Sequence, residues 1–296
     1  MNAHAQTPAA NRRAQVAFLP GGRLHLNDGP IDLVIGAFGA ESAVKAAYAA
    51  ATRRFSTILD ELCDELPLLR SEVLPGSPLP HGATARRMDA AVRPFAETCF
   101  ITRMAAVAGA VADEIVAAML EGSELERAYV NNGGDIALHL AQGQSFAIGM
   151  VDRPDRPGLF GRAHISAQHG IGGIATSGRH GRSFSLGIAD AVTILAANAA
   201  AADAAATIVA NAVDLPDHAN VMRVAACDFD PQSDLGARLV TRDVGFLSPQ
   251  EIAQALSRGE AEAHRLLSND RIAAAALHLH GETRVARHPE LVSPAC

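Results

Sequence analysis

Residues 128–140 read Ala-Tyr-Val-Asn-Asn-Gly-Gly-Asp-Ile-Ala-Leu-His-Leu, two short apolar runs (128–131 and 136–140) around a polar, glycine-containing step. Asn-Gly and Gly-Asp pairs favour positive φ, so the runs are expected to fold back on each other as a hairpin. More short strands are expected outward from it. Residues 23–26 and 31–35 lie upstream, joined at Asn27-Asp28-Gly29-Pro30, and residues 146–151, 162–167, 192–196 and 275–280 lie downstream. Helical spacing of apolar residues marks 41–66, closed by Pro67, and 103–120, closed by Gly122. An alanine-rich helix is expected at 199–212, and Ser248-Pro249-Gln250-Glu251 has the capping serine, early proline and third-position glutamate of a helix start. Hairpin-length connections among strands, flanked by long helices and without serial β-α-β units, predict an α+β fold whose sheet is mixed or largely antiparallel.

Residues 1–18 are expected to be a flexible lead-in and 19–296 a single α+β domain. Pro75, Pro78, Pro80 and Gly82 mark 71–94 as an internal loop or linker, and Pro154, Pro157 and Gly158 mark 153–158 as a loop.

Charge and cysteine content narrow the function. Lys plus Arg number 25 against 32 Asp plus Glu, a net charge of −7, which suits polyphosphate backbones poorly, so nucleic acid is not an expected partner. Cys63, Cys99, Cys227 and Cys296 form no CxxC pair and fit a reducing cytoplasm, with Cys99 and Cys227 expected as buried packing residues. The longest low-charge run, 188–213, is interrupted by Asp190, Asn198, Asp203 and Asn211, and residues 1–15 lack the apolar stretch of a secretory signal. The protein is expected to be cytoplasmic, with no membrane partner. The alanine-rich helix face suits a homodimer.

Three segments could carry chemistry. In Asn131-Asn132-Gly133-Gly134-Asp135-Ile136 the missing Cβ atoms allow a backbone to approach a ligand, although a plain tight turn accounts for the same residues. Residues 170–181, Gly-Ile-Gly-Gly-Ile-Ala-Thr-Ser-Gly-Arg-His-Gly, offer unblocked N–H groups and the Arg179 guanidinium to a phosphate, or else form a mobile loop. They match neither a Walker loop nor a dinucleotide fingerprint. Asp203 and Thr207, one helical turn apart, share a face that can offer two oxygens to a hard cation; Asp203 could equally serve only the helix N-terminus. His164, His169, His180, His278 and His280 have no role assigned by spacing.

In order, these pieces resemble the ApbE family, flavin transferases that bind FAD and move FMN onto a protein threonine, and most closely its UPF0280 branch. Asn132-Gly133-Gly134-Asp135-Ile136 is similar to the family's N-x-GGDI, Phe146-Ala147-Ile148-Gly149-Met150 to W-x-IGI, and Ile174-Ala175-Thr176-Ser177-Gly178 to ISTSG. Gly187-Ile188-Ala189-Asp190 falls at HIID, residues 192–196 at VTVIA and residues 202–207 at ADALAT. The resemblance covers about residues 104–211. It implies Mg2+ held by Asp203, Thr207 and the Gly173 carbonyl. It further implies a flavin site, for FAD or FMN, lined by Asn132, Gly133, Gly134, Asp135, Thr176, Ser177 and Gly178. Beside it, Arg179 of the glycine-rich stretch is the cation expected to meet the phosphate of a phosphorylated small molecule, and Asp190 is the nearest candidate acid or base for catalysis. Ala108 stands where the family has the lysine of KGY, Gly187 replaces the histidine of HIID, and no proline turn follows Asp190. Those departures imply a divergent flavin or phosphoryl transferase; the alternatives are a non-catalytic flavin or nucleotide binder and a cofactor-biosynthesis protein.

Overall fold

Asn132 pairs with Asp135 across Gly133 and Gly134, whose φ angles are 65° and 116°. Asn131 Oδ1 accepts the Gly134 N–H at 2.8 Å, so the turn is tightened from within. The expected hairpin therefore forms, and the rest of the sheet grows from it. The computed structural model describes residues 13–151 and 159–287.

The chain opens with β1 (Gln15–Leu19), β2 (Arg23–Asp28) and β3 (Ile31–Phe38), then α1 (Glu41–Asp64), α2 (Leu66–Leu69) and α3 (Ala83–Val92). A 3-10 turn at Arg103–Ala106 leads into α4 (Val107–Leu120) and the hairpin of β4 (Arg127–Asn132) and β5 (Asp135–Leu140). A second hairpin, β6 (Ser145–Val151) and β7 (Leu159–Ser166), precedes β8 (Gly173–Ser177), β9 (Ala191–Ala196) and α5 (Ala199–Ala212). The last third holds β10 (Val221–Ala225), α6 (Ala226–Phe229), β11 (Leu239–Val244), α7 (Pro249–Ser268), β12 (Ala274–Leu279) and β13 (Glu282–Arg287).

Nine strands form one sheet in the order β1-β2-β3-β4-β5-β8-β9-β12-β13, every neighbouring pair antiparallel. The α+β architecture read from the sequence is the observed one. Strand alternation assigns the two faces. Ala137, Ala175 and Ile194 join the main core with α1, α4, α5 and α7, whereas Ile136, Leu138, Ile174 and Leu195 turn the other way. That second face is covered beside β5 and β8 by Ile148 and Ile165 of the β6–β7 hairpin.

Several expectations are corrected. Residues 71–94 are not a plain linker, because α3 forms within them around the buried side chain of Arg103. Arg103 donates to Asp89 Oδ1 (2.8 Å) and to the carbonyls of Leu68 (3.1 Å) and Pro78 (2.8 Å). Glu65 accepts the N–H groups of His81 and Gly82 at 2.7 Å each, so the proline-rich stretch is a braced entry to a helix. Residues 15–18, expected within the flexible lead-in, belong to β1, an edge strand that pairs with β2. Cys99 is exposed and Cys227 only partly covered, so neither is a core residue. The expected loop 153–158 and Cys296 lie outside the described residues. No helix among the described residues is long and apolar enough to cross a membrane.

Candidate functional site

Alanine and glycine let the elements of the site come unusually close. A Cβ on Gly173 would lie 2.1 Å from the Asn198 carbonyl carbon and 2.2 Å from Ala199 N, so β8 begins directly under the start of α5. A Cβ on Gly109 would lie 2.3 Å from Ala199 O, which brings α4 equally close on the other side. The expected loop at 170–181 is accordingly half strand: residues 173–177 are laddered between β5 and β9, and glycine at 173 reflects backbone packing rather than mobility.

The helix-facing side of the sheet carries the polar groups. Asn132 is buried and donates from Nδ2 to Ala108 O at 3.1 Å, tying the Gly133-Gly134 turn to the start of α4. Asp135 Oδ1 accepts the Thr176 N–H at 3.3 Å. Thr176 uses its hydroxyl on the opposite face, against Thr193 Oγ1 at 2.9 Å, so toward the helices it offers backbone only. On α5, Asp203 Oδ2 accepts the Gly109 N–H at 3.0 Å. Gly173 meets α5 about one turn, roughly 6 Å, before Asp203, and Thr207 follows one turn later on the same face. The structure thus brings Asp135, Asp203 and Thr176 together beneath the turn, with Gly173 at the start of α5 and Thr207 further along it.

Burial pushes the Asp135 carboxyl up to about 7, the Thr176 N–H and the Arg182 charge opposing it. Asp203 is pushed well above the usual carboxylate range, first by desolvation and then by the negative charges of Asp135 and Asp113, with hydrogen bonds from Gly109 and Ala108 working the other way. Asp113, on α4, rises to about 6 through burial, although the N–H groups of Ala199 and Ala200 hold it at 2.9 and 2.8 Å. Asp203 is therefore the middle acid of three, repelled by Asp135 on one side and by Asp113 on the other.

At the rim, Gly178 adopts φ 151°, and a Cβ there would lie 2.5 Å from Asp190 O. Asp190 is a hub. It accepts from Arg179 Nε (2.8 Å) and pairs with Arg179 Nη2 (2.6 Å) and His180 Nε2 (3.2 Å) through one oxygen, while the other takes the His280 N–H at 2.6 Å. Arg179 is thereby turned onto a carboxylate of its own chain. Gly187 has no room for a side chain, because a Cβ would lie 2.1 Å from Ala210 O and 2.8 Å from Val213 O. Two residues of the site escape a reading of the sequence. Arg182 lies against Gly133, and Asp113 is an acid in the otherwise largely apolar run of α4, the one signal that could have marked it. Among the described residues no three His, Cys, Asp or Glu side chains form a ligand group for a metal ion.

Comparisons with known proteins place the chain in a family. The model of the family described as AbpE bacteria matches residues 16–285. A UPF0280 protein of Methanopyrus kandleri is 36% identical over 182 residues, 61% of this chain and 69% of that protein. One of Methanospirillum hungatei is 37% identical over 132 residues, and there the match spans 41% of this chain and 49% of the relative. Among solved structures, the ApbE protein of Thermotoga maritima is 13% identical with a TM-score of 0.44, covering 94% of this chain and 97% of that one. The flavinyl transferase ApbE of Pseudomonas stutzeri, in its apo form, is 10% identical with a TM-score of 0.46, covering 94% and 96%. Matched across nearly its whole length, the chain belongs to the AbpE bacteria family, among its UPF0280 relatives.

Proposed function

We propose that this chain binds a phosphorylated, flavin-like small molecule together with a divalent cation, between the Gly133-Gly134 turn, the Thr176-Ser177-Gly178 segment and α5. The exposure pattern of α5 carries the reading: from residue 202 to residue 210, Asp203 and Thr207 keep partial exposure while every other residue is buried. A helix sunk in the core that leaves a carboxylate and a hydroxyl open, one turn apart, offers oxygen donors to a hard cation such as Mg2+. The Gly173 carbonyl is the third donor, as in the motif resemblance. The donor set is all oxygen, which fits that ion, and a cation there would relieve the mutual repulsion of Asp135 and Asp203. When bound, such an ion polarises a phosphoryl oxygen. Asn132, Gly133, Gly134, Asp135, Ser177 and Gly178 would line the ligand side, with Arg179 and Asp190 at the rim. Asp190 is the candidate acid or base, and His180 is the group with which it would share a proton.

Two observations favour a binder or a divergent transferase over FMN transfer itself. Gly187 is closed to any side chain, and Ala108 ends without a charged group beside Asn132. Isothermal titration with FAD and FMN, each with and without Mg2+, is the test, together with an assay for FMN transfer onto a threonine-bearing acceptor. Asp203→Asn, which keeps an acceptor for Gly109, and Thr207→Val are expected to abolish the Mg2+ dependence. Equal Mg2+-dependent binding by wild type and both variants would remove the cation from the site, and no binding by the wild type would remove the ligand.

A further inference from the structure

The segment after Ser177 carries two arginines that are employed differently. Arg179 is mostly buried (15% exposed) and engaged with Asp190, which also takes His180. Arg182 is exposed, and among the described residues its guanidinium has no ion-pair or hydrogen-bond acceptor. Its position is nonetheless specific. A Cβ on Gly133 would lie 1.2 Å from Arg182 Nη2 and 2.4 Å from Cζ, so the guanidinium occupies the space the glycine leaves open. Gly133 and Gly134 are themselves exposed, and the charge of Arg182 reaches Asp135 beneath them.

We propose that Arg182 is the anion-recognising residue of the cleft, receiving a phosphate or pyrophosphate of the ligand over Gly133, and that Arg179 is a structural latch for Asp190. The inference rests on the cleft reading above and adds the group that selects for phosphate. An arginine offers a planar fork of N–H donors matched to paired phosphate oxygens, and one hydrogen-bonded to no carboxylate among the described residues has those donors to give. The geometry also couples anion to cation. A phosphate on Arg182 brings negative charge toward Asp135 and Asp203, so its binding should strengthen when a divalent ion neutralises them.

The test uses the full-length protein and inorganic pyrophosphate as probe, titrated with and without Mg2+, alongside FAD and FMN. Arg182→Ala is expected to weaken pyrophosphate binding about tenfold or more, the loss of a charge-assisted bidentate contact, with an unchanged melting temperature. Arg182→Lys should recover only part of the affinity, because a point charge lacks the fork. Arg179→Ala should instead lower the melting temperature. Pyrophosphate, FAD or FMN binding equally to wild type and Arg182→Ala overturns the assignment and leaves the cleft reading intact. Failure of the wild type to bind any of the three ends both.

Discussion

Asp113 and Asp203 cap each other's helices. Asp113 on α4 accepts the Ala199 and Ala200 N–H groups that open α5, and Asp203 on α5 accepts the Gly109 N–H near the start of α4. The first turns of the two helices meet at Gly109 and Ala199, so each helix supplies an acceptor that the other's first turn lacks. Asp113→Ala should lower unfolding free energy by about 2 kcal/mol in urea titrations, the range for losing a helix cap. Asp113→Asn keeps one acceptor and should lose about half as much. Equal stability of Asp113→Ala and wild type would show the pairing to be idle.

The same acids set a pH dependence. Asp113 at about 6, Asp135 at about 7 and Asp203 higher than usual all bind protons more tightly folded than unfolded. Their stabilisation is full below the unfolded value near 4 and is lost as pH climbs through 6 and 7. Melting temperature in EDTA should therefore fall between pH 5 and about pH 8. Saturating Mg2+ should flatten that fall, because the ion favours the ionised forms. A level profile in EDTA would contradict the shifts. At the other extreme Glu251, lowered to about 2 by His218 and Ser248, favours the fold above the usual glutamate range and loses that contribution as pH falls toward 2.

Gly187→His, which restores the residue of the HIID motif, should not restore transfer. The new side chain would strike the carbonyls of Ala210 and Val213, costing about 1–3 kcal/mol or more as overpacking. Urea midpoint and an FMN-transfer assay together check this. A variant as stable as wild type that transfers FMN would refute it.

Arg103→Met should destabilise the protein by about 3–5 kcal/mol, the cost of breaking a buried charge pair. It leaves the Leu68 and Pro78 carbonyls without their donor. Limited proteolysis should then cut near Pro75–Pro80 faster than in wild type. Unchanged cleavage would mean that α3 is held by its apolar contacts alone.

Long periodic helices and the Asn-Gly hairpin were legible because local chemistry decides them. The helix expected at 199–212 is α5, and the Ser248 cap opens α7 with both arms of its capping box formed. β8 was not legible, since Gly172 and Gly173 read as loop until the nearness of Ala197, Asn198 and Ala199 is known. β10, β11 and β13 are not legible either: Arg223, Arg242, Asp243 and Arg284 interrupt short strands whose pairing is supplied from elsewhere in the chain. At the site, the glycines and Asp203 stood out by motif. Asp113 and Arg182 did not, because their roles depend on which backbone lies beside them, and no spacing within one segment encodes that.

The alanine-and-glycine contact that joins α5 to β8 and α4 has an evolutionary corollary. Where main chain touches main chain, almost any enlargement of a side chain is refused, so the floor of the cleft is frozen while its rim stays open to change. Relatives that act on different molecules should therefore diverge at rim positions such as 179, 180 and 182, and keep small residues at 109 and 173.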